Sequence, residues 1–167
     1  MKRSVPENTP DRLIDRIRGL YVANKFDSRS AAIVSTAARR NPRNPDVLLV
    51  VAEYRDLAAC DRGVYRSALH ERAYRRVLKL APKNAKAWEN LAAVFDIADR
   101  LAEAARAAQN AIRFGDSPNA VALLSRIRAQ QGRRAEAFRL AKSIRRTRWI
   151  FARNTAAEVL KGTWNPT

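Results

Sequence analysis

The sequence is short of the residues that small stapled folds and most enzymes depend on. Its 167 residues include one cysteine, Cys60, and one histidine, His70. A single cysteine cannot build an internal disulfide framework. The lone histidine has no cysteine or carboxylate at a metal-ligand spacing, which makes it a structural residue. Glycine and proline are sparse, at five and seven, and no Gly-rich phosphate loop exists. The longest apolar run is "VLLVVA" at 47–52, far below the roughly 20 residues of a membrane-spanning helix. The opening stretch "MKRSVPENTPDR" is charged and has no apolar core, so no secretory signal is expected. These absences point to a cytoplasmic protein with no membrane span. A hydrophobic content of 47% argues for a packed domain rather than a disordered chain.

Acid is also in short supply: 16 Asp and Glu stand against 33 Lys and Arg, a net charge of +17. Arginine dominates the bases, with only seven lysines among them, and arginine makes bidentate contacts to carboxylate and phosphate that lysine cannot. Such a balance speaks to partners rather than to fold. Catalytic groupings are missing. Cys60 is followed by Asp61 and Arg62, and a cationic neighbour can depress a thiol pKa. A nucleophilic cysteine needs a base, however, and His70 lies across an expected turn. The sequence therefore predicts no enzyme, no metal site and no cofactor.

What is present is helical. Apolar residues recur at i, i+3, i+4 and i+7 spacings: Ile14, Ile17 and Tyr21; Ile33, Val34, Ala37 and Ala38; Trp88, Leu91 and Phe95; Ala137, Ala141 and Ile144. Turn-forming stretches ("NPRNPD", "APKNAK", "GDSPNA", "QQGRR") separate them. The fold class is all-α.

The helices pair at a fixed period. The stretch 85–117, "AKAWENLAAVFDIADRLAEAARAAQNAIRFGDS", resembles a tetratricopeptide repeat, a 34-residue helix–turn–helix unit. Trp88, Leu91, Ala92 and Phe95 match its first helix. Ala104, Ala108 and Ala111 fill the small positions of its second, with Ala108 in place of an aromatic and Asp116 in place of the closing proline. Asp11–Asn44 aligns Ile14, Ile17, Arg18 and Tyr21, then Ser30, Val34, Ala37 and Pro42, with the same pattern. Pro118–Ile150 aligns Leu124 and Ser125, then Gly132, then Ala137, Ala141 and Ile144. Pro45–Asn84 ends "YRRVLKLAPKN" but holds about six extra residues within "AACDRGVYRS", and His70 sits in its small-residue position. The resemblance implies a tetratricopeptide-repeat-like solenoid, a right-handed stack of four antiparallel helix pairs (11–44, 45–84, 85–117, 118–150) after an extension at 1–10. A capping helix over 149–162, with Trp149, Ala152, Ala156 and Leu160 on its buried stripe, precedes a tail at 163–167.

The resemblance further implies a concave groove lined by the first helix of each pair. Projected positions are Arg12, Asp15 and Arg16; Asp46, Glu53 and Asp56; Lys86, Glu89, Asn90 and Asp96; and Asn119 and Arg126. Six acids and four bases make this groove mixed to mildly acidic. The Lys/Asn clamp that some members of the family use to hold a peptide carboxylate is only half present, as Lys86 and Asn90, while Asp15 stands where a cation is needed. The positive excess falls on the second helices: Arg39; Arg72, Arg75, Arg76 and Lys79; Arg106 and Arg113; Arg139, Lys142 and Arg146. Spacings of three, four and seven place these on one side of each helix. Arg39, Lys79, Arg113 and Arg146 share one repeat position, which a stack would align as a basic ladder. Helix-dipole compensation and solubility account for part of this charge.

Two functions remain open. In the first, a non-enzymatic adaptor or scaffold holds a helix or extended peptide of a protein partner in its groove and docks an acidic partner on its basic face. In the second, a nucleic-acid-associated protein binds RNA or DNA phosphates through the arginine ladder with strong salt dependence. Self-association by end-to-end stacking is a further possibility. The segment "KSIRRTRWIFARN" (142–154) sits at the junction of these readings. The repeat register divides it into a basic helix end near Thr147 or Arg148 and a buried, core-closing Trp149.

Overall fold

The structure, a computed structural model, describes residues 9–163. Residues 164–167 of the expected tail (163–167) and residues 1–8 of the N-terminal extension lie outside the described residues. Among the described residues there are nine helices and no strand: α1 (Pro10–Val22), α2 (Ser28–Arg40), α3 (Pro45–Asp61), α4 (Ser67–Leu80), α5 (Ala85–Ile97), α6 (Leu101–Phe114), α7 (Pro118–Gln130), α8 (Arg134–Ile144) and α9 (Ile150–Lys161).

The breaks fall at the expected turn stretches because those residues satisfy the orphan amides of a helix start. Asn44 accepts from the backbone N–H of Asp46 and Val47, Asn84 from that of Ala87, and Ser117 from that of Ala120. Pro10, Pro45 and Pro118 occupy first helical positions, where a missing N–H costs nothing. The repeat is also written in the backbone. Asn24, Gly63, Asp99 and Gly132 all have φ between 50° and 73°, each just beyond the first helix of its pair. A left-handed residue there lets the chain reverse into the second helix.

The insertion in the second pair resolves into helix. Helix α3 has 17 residues against 13 in each of α1, α5 and α7, so most of the extra residues of "AACDRGVYRS" form one further turn. The remainder lengthen the connection over 62–66.

The chain divides into two compact units, Met1–Pro82 and Lys83–Thr167. In the first, Ile17, Val34, Val47, Val50 and Tyr54 form the centre of the core. Each such side chain, taken fully out of water, contributes roughly 1.5–3 kcal/mol. The Tyr54 hydroxyl donates to the Lys25 carbonyl at 3.1 Å, fixing α3 against the α1–α2 turn. In the second unit, Ala104, Ala108 and Ala111 are completely buried. That explains the departure at Ala108: α5 and α6 pack too closely for an aromatic. The core continues through Ala122, Ala137, Ala141 and Ile144 to α9, which presents Ala152, Ala156 and Val159. Helix α9 is thus the expected cap, but its buried stripe is Ala152, Thr155, Ala156 and Val159.

Two expectations are corrected at the α8–α9 junction. Helix α8 ends at Ile144, not near Thr147 or Arg148, so Arg146 lies in the connection and not on the second helix. Trp149 does not close the core. It is the N-cap of α9 and is 50% exposed. Short alanines at 152 and 156 seal the end of the fourth pair at close range and leave no room for an indole.

Candidate protein-binding groove

In the second unit, the first helices of successive pairs and the cap line one open groove of about 530 Å³. Helix α5 contributes Glu89, Asn90, Ala93, Asp96 and Ile97; α7 contributes Asn119, Leu123 and Arg126; α9 contributes Phe151, Asn154, Thr155 and Glu158. Five residues expected on this face, Glu89, Asn90, Asp96, Asn119 and Arg126, are therefore brought together. Lys86 is not among the lining residues. It lies 50% exposed and donates to Glu89 at 2.6 Å.

The acids of the groove are mostly spoken for. Glu89 accepts from Lys86, from the Ser117 hydroxyl and, at 3.4 Å, from Asn119 Nδ2. Asp96 pairs with Arg126 across α5 and α7. These bonds tie neighbouring first helices together and neutralise charge, so what the groove offers is different from its composition. Ile97 and Phe151 are 60% and 57% exposed on its walls. Asn119 Oδ1 and Arg126 Nε are buried polar atoms with no partner within the fold, an acceptor and a donor placed where an incoming backbone can satisfy them. A groove with apolar walls and a few fixed polar groups suits a peptide or helix better than a small charged ligand. The α9 wall was not anticipated. Shifting by 32 residues carries Asn119 onto Phe151 and Arg126 onto Glu158, so treating 149–162 as the first helix of a further repeat, rather than as a cap alone, would have found it.

Solved structures share the fold. The crystal structure of TTC0263, described as a thermophilic TPR protein of Thermus thermophilus, superimposes with a TM-score of 0.75 over 92% of this chain and 82% of that one, at 17% identity. A crystal structure of MamA protein gives a TM-score of 0.68 over 95% of this chain and 84% of that one, and a further MamA structure 0.64 over 87% and 90%, both at 17% identity. The fold is that of a tetratricopeptide-repeat protein. No family model matches the sequence, and no curated protein matches it.

The first compact unit does not reproduce the groove so simply. Glu53 faces α1, accepting from the Tyr21 hydroxyl at 3.4 Å; burial first, and then this contact, pushes the Tyr21 pKa up. Arg12 and Asp15 are exposed on α1, but Arg16 turns toward α2, lining a separate cleft with Arg29, Thr36 and Arg40. Asp56 is corrected from groove residue to structural anchor. Its carboxylate accepts from the buried Tyr74 hydroxyl at 3.0 Å and lies 3.3 Å from His70 Nδ1, holding α4 against α3. Burial first, and then Asp56, raises the Tyr74 pKa. His70 is buried and stacks on Tyr65 with ring centroids 4.4 Å apart, the structural role expected of it. Cys60 behaves opposite to the expectation from its Arg neighbour. Desolvation and the Asp56 carboxylate raise its pKa, because Arg62 donates instead to the Ala58 carbonyl at 2.9 Å.

The basic-face residues Arg39, Arg72, Arg76, Lys79, Arg106, Arg113, Arg139, Lys142 and Arg146 are all exposed. Arg39 and Lys79 fall in the first unit, Arg113 and Arg146 in the second. In the first unit Arg72 and Arg76 join Arg55, Arg62 and Arg66 around a cleft of about 740 Å³ between α2, α3 and α4. Its apolar lining includes Val34, Leu48, Val51, Val64 and Leu69, and no acid lines it. Among the described residues, no cluster of three or more His, Cys, Asp and Glu is placed to hold a metal ion.

Proposed function

We propose that the chain is a non-enzymatic adaptor that holds a helix or extended peptide of a protein partner in the α5–α7–α9 groove. The observation that carries this reading is the convergence of Glu89, Asn90, Asp96, Asn119 and Arg126 with exposed Ile97 and Phe151 in a single open groove. The basic face supplies a second contact. Five arginines around an apolar cleft, with no acid among the lining residues, suit an acidic protein segment that lays apolar side chains between them. A phosphate backbone would use the arginines but leave the apolar floor uncovered, so an acidic protein is favoured over RNA or DNA at this cleft.

Ala93→Arg with Ile97→Glu blocks the groove without touching the Asp96–Arg126 or Glu89 bonds. A pulldown from the native cell is expected to recover a protein with the wild-type chain and to lose it with this variant. Recovery unchanged by the groove variant but abolished by Arg72→Glu with Arg76→Glu would move recognition to the basic cleft. A mobility shift of RNA or DNA across a salt series, abolished by the same arginine changes, would favour the nucleic-acid reading instead.

A further inference from the structure

Between Glu136 and Glu158 the chain carries six bases, Arg139, Lys142, Arg145, Arg146, Arg148 and Arg153, and no acid. All six are exposed, and none is ion-paired among the described residues. In the middle of this stretch Trp149, Ile150 and Phe151 are 50%, 66% and 57% exposed. Three consecutive large apolar residues in water are costly to solubility and mark a binding surface. We propose that this α8–α9 tip docks the protein on an anionic membrane surface, with Trp149 and Ile150 entering the headgroup–acyl boundary and the neighbouring Arg145, Arg146, Arg148 and Arg153 meeting the lipid phosphates.

The geometry separates this occupant from the others. Ile150 and Phe151, in the first turn of α9, point about 100° apart, and Trp149 precedes them in extended backbone, so the three side chains spread around the end of α9 and form a knob rather than one flat face. A knob suits a fluid apolar layer, which takes side chains whatever their direction. A protein groove reads one face of a helix. Stacking on nucleic-acid bases uses a ring face, and the Arg148 guanidinium over the Trp149 ring, 5.7 Å from its centroid, leaves only one face for it. Tryptophan beside arginine is also the pairing that membrane interfaces favour, the indole at headgroup depth and the cation on phosphate. No helix among the described residues is long and apolar enough to cross a membrane, so the contact is peripheral. Phe151 is shared with the groove, Trp149 and Ile150 are not, and the tip is therefore separable from the adaptor site.

The test is partition of the full chain onto phosphatidylcholine vesicles with and without phosphatidylglycerol. In the Trp88→Phe/Trp164→Phe background, Trp149 is the one remaining tryptophan. Its emission is expected to shift to the blue on anionic vesicles and to be quenched by brominated acyl chains. Trp149→Ser with Ile150→Ser, which leaves every charge in place, is expected to lower the partition constant about tenfold or more. If the tryptophan background does not fold by circular dichroism, an environment-sensitive dye on Ile150→Cys, with Cys60→Ser, gives the same readout. Unquenched emission, or partition unchanged by the double serine variant, overturns the proposal and leaves only adsorption of a +17 protein. Trp149 quenched by a single-stranded oligonucleotide and not by brominated lipid also overturns it, in favour of nucleic acid.

Discussion

Gly115 shows how much the second unit depends on single atoms. Its backbone is extended, with φ of −170°, so left-handed conformation is not the reason for a glycine there. A Cβ at this position would sit 2.8 Å from the Ala85 Cβ. Gly115→Ala is therefore expected to destabilise the protein by about 1–3 kcal/mol, as overpacking does, read as a lower urea midpoint. No spacing rule reveals this, since the contact is between residues 30 apart in sequence. Cys60 illustrates the same limit. Sequence adjacency to Arg62 allows a depressed thiol pKa without a base to make it a nucleophile, but the Arg62 side chain turns to the Ala58 carbonyl instead. Because the folded pKa is raised, the thiolate fraction at neutral pH falls below that of a free cysteine. Iodoacetamide is expected to alkylate Cys60 more slowly in the native protein than in urea at pH 7, the difference closing as pH rises past the native pKa. Faster native reaction would contradict the placement of Asp56. The Asp56–His70–Tyr74 anchor was likewise hidden, because Asp56 sits at a groove-facing repeat position and its partners lie 14 and 18 residues further on, in α4.

At the scale of elements, the helical period, the turn stretches and the repeat resemblance made eight paired helices and their breaks readable. What resisted reading was anything set by close packing. Tight approach of α5 and α6 turned an aromatic position into Ala108, and the inserted residues became helix because nothing in "AACD" breaks one. Helix α9 was readable as a cap from its apolar period, but not as a groove wall. That second role follows from its lying beside α7 as the first helix of a further pair would. Removing residues 149–167 takes Ala152, Ala156 and Val159 from against Ala122, Ala137, Ala141 and Ile144. Loss of that face is expected to cost about 3–5 kcal/mol, seen by circular dichroism as a lower urea midpoint. A truncated chain as stable as the full one would mean that α9 is not part of the core.

Over the whole molecule, a net charge of +17 does not describe the binding surfaces. Charge in the groove is largely consumed by Lys86–Glu89 and Asp96–Arg126, while uncompensated arginine gathers at the cleft of the first unit and at the α8–α9 tip. The sequence made this excess of charge visible, but not its division between paired and unpaired sites, which depends on side chains meeting across helices. The central claim is that recognition runs through the α5–α7–α9 groove, and a photo-crosslinking residue tests it most directly. Placed at Ile97 in the native cell, it is expected to give a discrete protein adduct that Ala93→Arg abolishes. No protein adduct at Ile97, together with an adduct from the same probe at Arg72, would contradict the claim and make the basic cleft the site of recognition.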